Sequence, residues 1–352
     1  MMPQSNLEID IYEQPEALRR LLTDERANIE KIAAAIHERD PKFITLAARG
    51  SSDNAGRYAK YLFGAANGLI VALATPSLYT HYDQPPRMDG TLAIAISQSG
   101  QSPDIVSVIK EGRRQGGPTV GITNDTRSPL AQEAEHVIDM CALRERSIGA
   151  TKTYTTSLMS IAMLSTALIQ NKAQADERWR MLEQVPELVT QVLANAEATI
   201  KAAERYRYMR VCVVVSRGYN YATVFENALK LKELTYTLAD PYSYPDFQHG
   251  PIAVIEDGFP VIAHVPQGPI MHEMIAFLRD VRERGAELIV ISAEPEALAM
   301  AQTPLPVPAD MPEWLSPIVN IIQGQLFTLG LVRAKRFDPD KPRGLMKVTM
   351  TQ

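Results

Sequence analysis

The sequence predicts an α/β protein of two tandem, doubly wound parallel-sheet units related by an internal repeat, with a helical connector between them and a C-terminal tail. Three observations predict it. Short apolar runs alternate with amphipathic stretches in the first part of the chain; a charged, alanine-rich stretch without strand signals then interrupts them; and the alternation restarts. The two halves also share one constant offset. Arg49-Gly50 and Arg217-Gly218 each close a strand-like run, and the same spacing of 168 residues sets Gly100 on Gly268 and Gly117 on Gly285.

In the first unit, residues 43–47, 69–74, 92–96, 119–123 and 136–140 have the length and apolar character of buried strands. Stretches 54–63 and 103–114 carry helical periodicity between them. Residues 153–170 read as a helix, and "NKAQADERWRMLEQVPELVTQVLANAEATIKAAERY" reads as the helical connector. The second unit restarts with strands at 210–215, 260–265 and 287–291 and a helix in "FENALKLKELTY". "ADPYSYPDFQHGPIAVI" reads as a long loop rich in aromatics and proline. The expected segments are an N-terminal helical piece (1–30), a first unit (31–172), the connector (173–204), a second unit (205–336) and a tail (337–352).

At 352 residues, 45% hydrophobic and 22% charged, the chain can bury two cores. A formal net charge of -5 offers no general attraction for nucleic acid or an anionic membrane, so an anion needs a locally built site. "MMPQSNLEID" lacks the basic and apolar regions of a signal peptide, and "LMSIAMLSTALI" is too short to span a bilayer. A cytoplasmic setting without nucleic-acid or membrane partners is expected. Cys141 and Cys212 read as buried thiols with neither a disulfide framework nor metal spacing. The histidines at 37, 81, 136, 264 and 272 form no ligand-spaced cluster, so no metal and no cofactor are expected.

The stretch "AISQSGQSPD" holds the strongest chemical signal. An apolar strand ends at Ile96, Ser102 can cap a following helix, and Pro103 suits its first position. The loop thus lies between a strand's carboxyl end and a helix's amino end, where backbone N–H groups and the helix dipole favour an anion. Hydroxyls of Ser97, Ser99 and Ser102 add donors that suit phosphate, although an ordinary strand-to-helix loop can have this composition. The second copy has "PQGPIM" here, so the hydroxyl cradle occurs once. Glu226, Lys230 and Glu233 share one helix face, and from spacing alone they fit a solvated stripe of ion pairs. His249 stands in the expected loop beside Gly250-Pro251.

Seven stretches in one order, "DIYEQPEAL", "RGSSDNAGRY", "ISQSGQSPD", "GATKTYTTSL", "NALKLKELTY", "FQHGPIAVI" and "DKPRGLMKVT", resemble the sugar isomerase (SIS) family, and within it the isomerase domain of glucosamine-6-phosphate synthases. The resemblance implies that Ser52, Ser97, Gln98, Ser99 and Ser102 hold the phosphate of a hexose 6-phosphate. A family serine in "IGATKT" is Ala150 here, and Ile148 in that stretch counts among the substrate-binding positions. By the same resemblance, Glu233 moves a proton between C1 and C2, and Lys230 steadies the developing oxygen charge. His249 assists ring opening from the neighbouring subunit of a homodimer, Lys347 meets the carbonyl and can form an imine, and Glu145 lies near the sugar hydroxyls. The resemblance omits the glutaminase domain of those synthases, so the expected direction is degradative: an amino-hexose phosphate to a ketose phosphate plus ammonia. Asp240, Tyr242, Tyr244, Pro245 and Asp246 depart from the synthases around the histidine, which keeps a ketosamine-6-phosphate deglycase open. A non-catalytic sugar-phosphate sensor is the third alternative.

Overall fold

The computed structural model describes residues 4–347, and among these ten strands form two five-stranded sheets. The first contains β1 (Phe43–Ala47), β2 (Ile70–Leu73), β3 (Thr91–Ile96), β4 (Thr119–Thr123) and β5 (His136–Asp139). The second contains β6 (Val211–Ser216), β7 (Leu238–Ser243), β8 (Pro260–Val265), β9 (Glu287–Ser292) and β10 (Thr303–Pro306). All pairings are parallel. The orders β2-β1-β3-β4-β5 and β7-β6-β8-β9-β10 are the same topology twice. Starts at Phe43 and Val211, Ile70 and Leu238, and Thr119 and Glu287 are each 168 residues apart, which carries the glycine offset into the strands.

The central strands form where apolar runs are continuous. Every residue of β3 and β4 is buried, as sheets covered on both faces require. The edges behave differently. The segment read as a long loop begins with β7, "LADPYS", which pairs with β6 alone, followed by the helix Tyr244–Gln248 and a 3-10 turn, Pro251–Val254. The loop expectation is therefore corrected. A strand with a partner on one side only can leave a proline outside the ladder, so Pro241 does not forbid it. The same reasoning covers β10, "TPLP", which shows no strand signal in sequence.

In each sheet the chain leaves its first strand toward one edge and crosses back to build toward the other. The strand order reverses between β1 and β3, and between β6 and β8. The crevice at the carboxyl ends of such a pair is the ligand position of open α/β sheets. In the first sheet the loops entering it carry 48–52 and 97–102. Ile105, Val108 and Ile109 anchor the helix Pro103–Arg114 in a cluster with Ala93, Ala95 and Leu130. Burying these side chains stabilises by roughly 1.5–3 kcal/mol each, which fixes where that helix begins.

The chain divides into two compact units. One is built on the first sheet from Glu13–Glu145 and Lys152–Pro186, and includes Lys347. The other is built on the second sheet from Glu187–Leu345, and includes Arg146–Thr151 and the residues up to Tyr12. The stretch Glu313–Ala334 is long and apolar enough to cross a membrane by length and composition, and its most apolar 18 residues are buried inside the protein.

Candidate active site

In the first unit, Gly50 adopts φ +55° at the end of β1 and starts the helix Ser51–Asn67, of which Ser52 is the second residue. The loop after β3 folds on itself: Ser97 Oγ accepts the Gly100 N–H at 3.1 Å, and Ser99 Oγ accepts the Gln101 N–H at 3.4 Å. The Gln98 carbonyl accepts the Asn124 N–H at 3.1 Å, tying the loop to the end of β4. Only glycine fits at Gly100, because its φ is +61° and a Cβ would lie 2.0 Å from Ser128 Oγ. Ser102 occupies the position before the helix Pro103–Arg114, with proline in its first turn as expected, but its side chain makes no capping bond. The capping role is therefore corrected. Ser52 stands in the first turn of the helix after β1, and Ser97, Gln98, Ser99 and Ser102 on the loop after β3, at the carboxyl ends of two adjacent parallel strands.

The second unit has no such cradle. At the matching positions, a Cβ on Gly218 would meet Glu313 Oε1 at 2.8 Å and one on Gly268 would meet Oε2 at 2.7 Å. A carboxyl group thus stands where the first unit has hydroxyls, and burial raises its pKa.

The tail contributes to the first unit. Lys347 Nζ lies 2.7 Å from Glu145 Oε2. Glu145 is buried and also accepts the Thr153 N–H at 3.1 Å and the Thr153 hydroxyl at 2.7 Å. Two donors of Thr153 hold this carboxylate at the start of the helix Lys152–Ala167, beside the lysine.

The charged stripe of the second unit is not solvated, which corrects the reading from spacing. Glu226 and Lys230 are 0% and 2% exposed, whereas Glu233 is 23% exposed. Lys230 Nζ lies 2.5 Å from Glu233 Oε2 and 3.5 Å from Glu226 Oε1. The helix Tyr221–Thr235 is covered on one side by the helix Ser316–Ala334, so closely that a Cβ on Gly324 would touch Asn227 at 2.9 Å, and on the side of Lys230 and Glu233 by Gly149. One cation is thereby held between two carboxylates, and the carboxylate with access to solvent is Glu233.

Two further residues of this group escape sequence reasoning. A Cβ on Gly149 would lie 3.5 Å from Glu233 Oε2 and 3.6 Å from Lys230 Nζ, so its backbone walls the pair. The segment carrying Gly149 and half-buried Ile148 is pinned by Asp10, whose fully buried carboxylate accepts the N–H groups of Arg146 at 2.7 Å and Ser147 at 2.6 Å. The only signal is Asp10 opening the motif "DIYEQPEAL".

His249 is exposed after the helix Tyr244–Gln248. His264 is buried, with Nε2 3.2 Å from Asn227 Oδ1, and desolvation pushes its pKa down to about 3, so it remains neutral. Cys212 is buried as expected and Cys141 only partly; burial pushes both thiols up to about 12. Neither is a nucleophile at neutral pH. Among the described residues, no group of three His, Cys, Asp or Glu side chains is arranged to hold a metal ion.

The SIS domain family model matches residues 39–167 and 210–332. The chain is 33% identical over 343 residues to the glutamine–fructose-6-phosphate aminotransferase (isomerizing) of Thermococcus kodakarensis, covering 96% of this chain and 56% of that protein. It thus spans little more than half the length of this curated relative. A crystal structure of a candidate phosphosugar isomerase from Silicibacter pomeroyi superposes with a TM-score of 0.84 at 30% identity, covering 96% of this chain and all of that one. A glucosamine-6-phosphate deaminase from Thermotoga maritima shares the fold, with a TM-score of 0.71 at 19% identity over 95% of this chain and 100% of that one.

Proposed function

This chain belongs to the SIS domain family, and on that premise we propose that it is a phosphosugar isomerase that converts glucosamine 6-phosphate and water to fructose 6-phosphate and ammonia. The observation that carries the proposal is the Lys230–Glu233 pair, a half-open carboxylate 2.5 Å from a buried lysine. The 33% identical relative named for fructose 6-phosphate and isomerisation matches over nearly all of this chain, which supports the substrate class.

In this reading the residues on 52 and 97–102 hold the phosphate through neutral donors at helix starts. Glu233 removes the proton from C2 of the open-chain amino aldehyde, and Lys230 steadies the charge gathering on O1. Return of the proton to C1 leaves an imine at C2, and water releases ammonia to give the ketose. Lys347, oriented by Glu145, is assigned to the sugar carbonyl. His249 is assigned to ring opening in the site of a second copy.

A substrate panel tests the proposal without glutamine or added metal. Glucosamine 6-phosphate is expected to yield fructose 6-phosphate and ammonia in equal amounts. Glucose 6-phosphate released from fructosamine 6-phosphate, with no turnover of glucosamine 6-phosphate, would make the protein a deglycase and overturn the proposed reaction. If neither sugar turns over while hexose phosphates raise the melting temperature, it is a sensor.

A further inference from the structure

The cradle supplies hydroxyls and backbone N–H groups, yet a phosphate monoester is a dianion near neutral pH. A formal positive charge would complement those neutral donors on a chain whose net charge is -5. The first unit has one placed between the two loops of the crevice. Arg49 closes β1, and its carbonyl accepts the N–H of Ser52 at 3.1 Å. Its Nε and one terminal nitrogen each lie 2.9 Å from Oδ2 of Asp104, two residues beyond Ser102. The burial of this pair is lopsided: the aspartate is 0% exposed and the arginine 50%.

Oδ1 of Asp104 also accepts the Ile105 N–H at 2.9 Å, and since burying a carboxylate costs several kcal/mol that its partners at best offset, the pair is a weak device for stability. It is a good device for holding a guanidinium still. Two donors are spent on one oxygen and the rest of the fork remains available. The acid in the first turn of the adjoining helix, Asp53, is paired with Arg57 at 3.3 Å and also lies within the field of Arg49. The repeat gives an internal comparison. Arg217, the equivalent of Arg49, is bound by the exposed Glu273 and by the Tyr244 hydroxyl at 3.2 Å, beside the crevice occupied by Glu313. The unit without a hydroxyl cradle has engaged its arginine elsewhere.

We propose that Arg49 is a substrate-binding residue that supplies the positive charge for the sugar phosphate, and that Asp104 is the positioning residue that presents it. This rests on residues 97–102 being the phosphate site.

The test is titration calorimetry of the full chain with glucitol 6-phosphate, which cannot isomerise, alongside steady-state kinetics with glucosamine 6-phosphate. Arg49→Gln keeps a donor for Asp104 and removes the charge. It is expected to weaken glucitol 6-phosphate binding by about ten- to a hundredfold, the range for losing a charged hydrogen-bonding partner, and to raise KM with little change in kcat. Arg49→Lys is expected to restore part of the affinity. Asp104→Asn should raise KM in the same direction, and its effect should largely vanish when Arg49 is already Gln, because the two act as one. Arg49→Met with Asp104→Leu removes the charge without stranding the buried acid, so it should show the same loss if Arg49→Gln folds poorly. Wild-type affinity in Arg49→Gln, or in the apolar pair, while Ser99→Ala weakens binding, would overturn this inference and leave the cradle standing. Wild-type affinity in Ser99→Ala as well would remove the cradle itself.

Discussion

Glu233→Gln is expected to bind a hexose 6-phosphate about as well as the wild type and to lose turnover by about 10²–10⁴-fold, the usual contribution of a positioned general base. The amide matches the carboxylate in shape but cannot take the C2 proton. Binding is expected to survive because the proposed phosphate contacts belong to the loops after β1 and β3. Stability should change little, since Lys230 retains Glu226 at 3.5 Å as a countercharge. Calorimetric affinity beside a coupled assay for fructose 6-phosphate separates the two effects. Wild-type turnover in this variant would remove Glu233 from the chemistry.

Lys230→Met should have the largest effect on stability, a loss of about 3–5 kcal/mol, as expected when one partner of a buried ion pair is deleted. The thioether fits the space, but Glu226, 0% exposed, would then lie beside Glu233 with no cation between them. Adding Glu226→Gln should recover much of the loss, because the remaining carboxylate is the one that reaches solvent. Urea unfolding midpoints measure both. A Lys230→Met protein within 1 kcal/mol of wild type, taken as roughly the size of an exposed pair, would mean that the lysine is not the buried keystone of this cluster.

The difference between these two residues shows what sequence reveals and what it hides. Glu226, Lys230 and Glu233 fall at the spacing of an ordinary surface stripe, and nothing local distinguishes it from a buried cluster. The distinction lies in segments distant in the chain: the helix Ser316–Ala334 packs on the helix that carries them, and Gly149 stands against Lys230 and Glu233. Central strands such as β3 were legible because burial on both faces leaves an unbroken apolar run. The edge strands β7 and β10 were not, because an edge tolerates Pro241, Pro304 and Pro306 that argue against a strand. The strand-to-helix loop at 97–102 was legible because its hydroxyls, glycine and proline are contiguous. Lys347 and Glu145 are 202 residues apart, so no local pattern announces their contact. Asp10 and Gly149 act through backbone geometry, which leaves no mark on composition.

The most direct measurement is the fate of the C2 hydrogen. Glucosamine 6-phosphate incubated with the protein in deuterium oxide, followed by proton NMR and mass spectrometry, should give fructose 6-phosphate carrying solvent deuterium at C1. Substrate recovered early should show some deuterium at C2, and both signals should disappear in Glu233→Gln. Fructose 6-phosphate formed with no solvent deuterium in either Glu233→Gln or wild type, at equal rates, would contradict proton transfer by Glu233; a bound sugar phosphate that neither exchanges nor turns over would contradict the enzyme altogether.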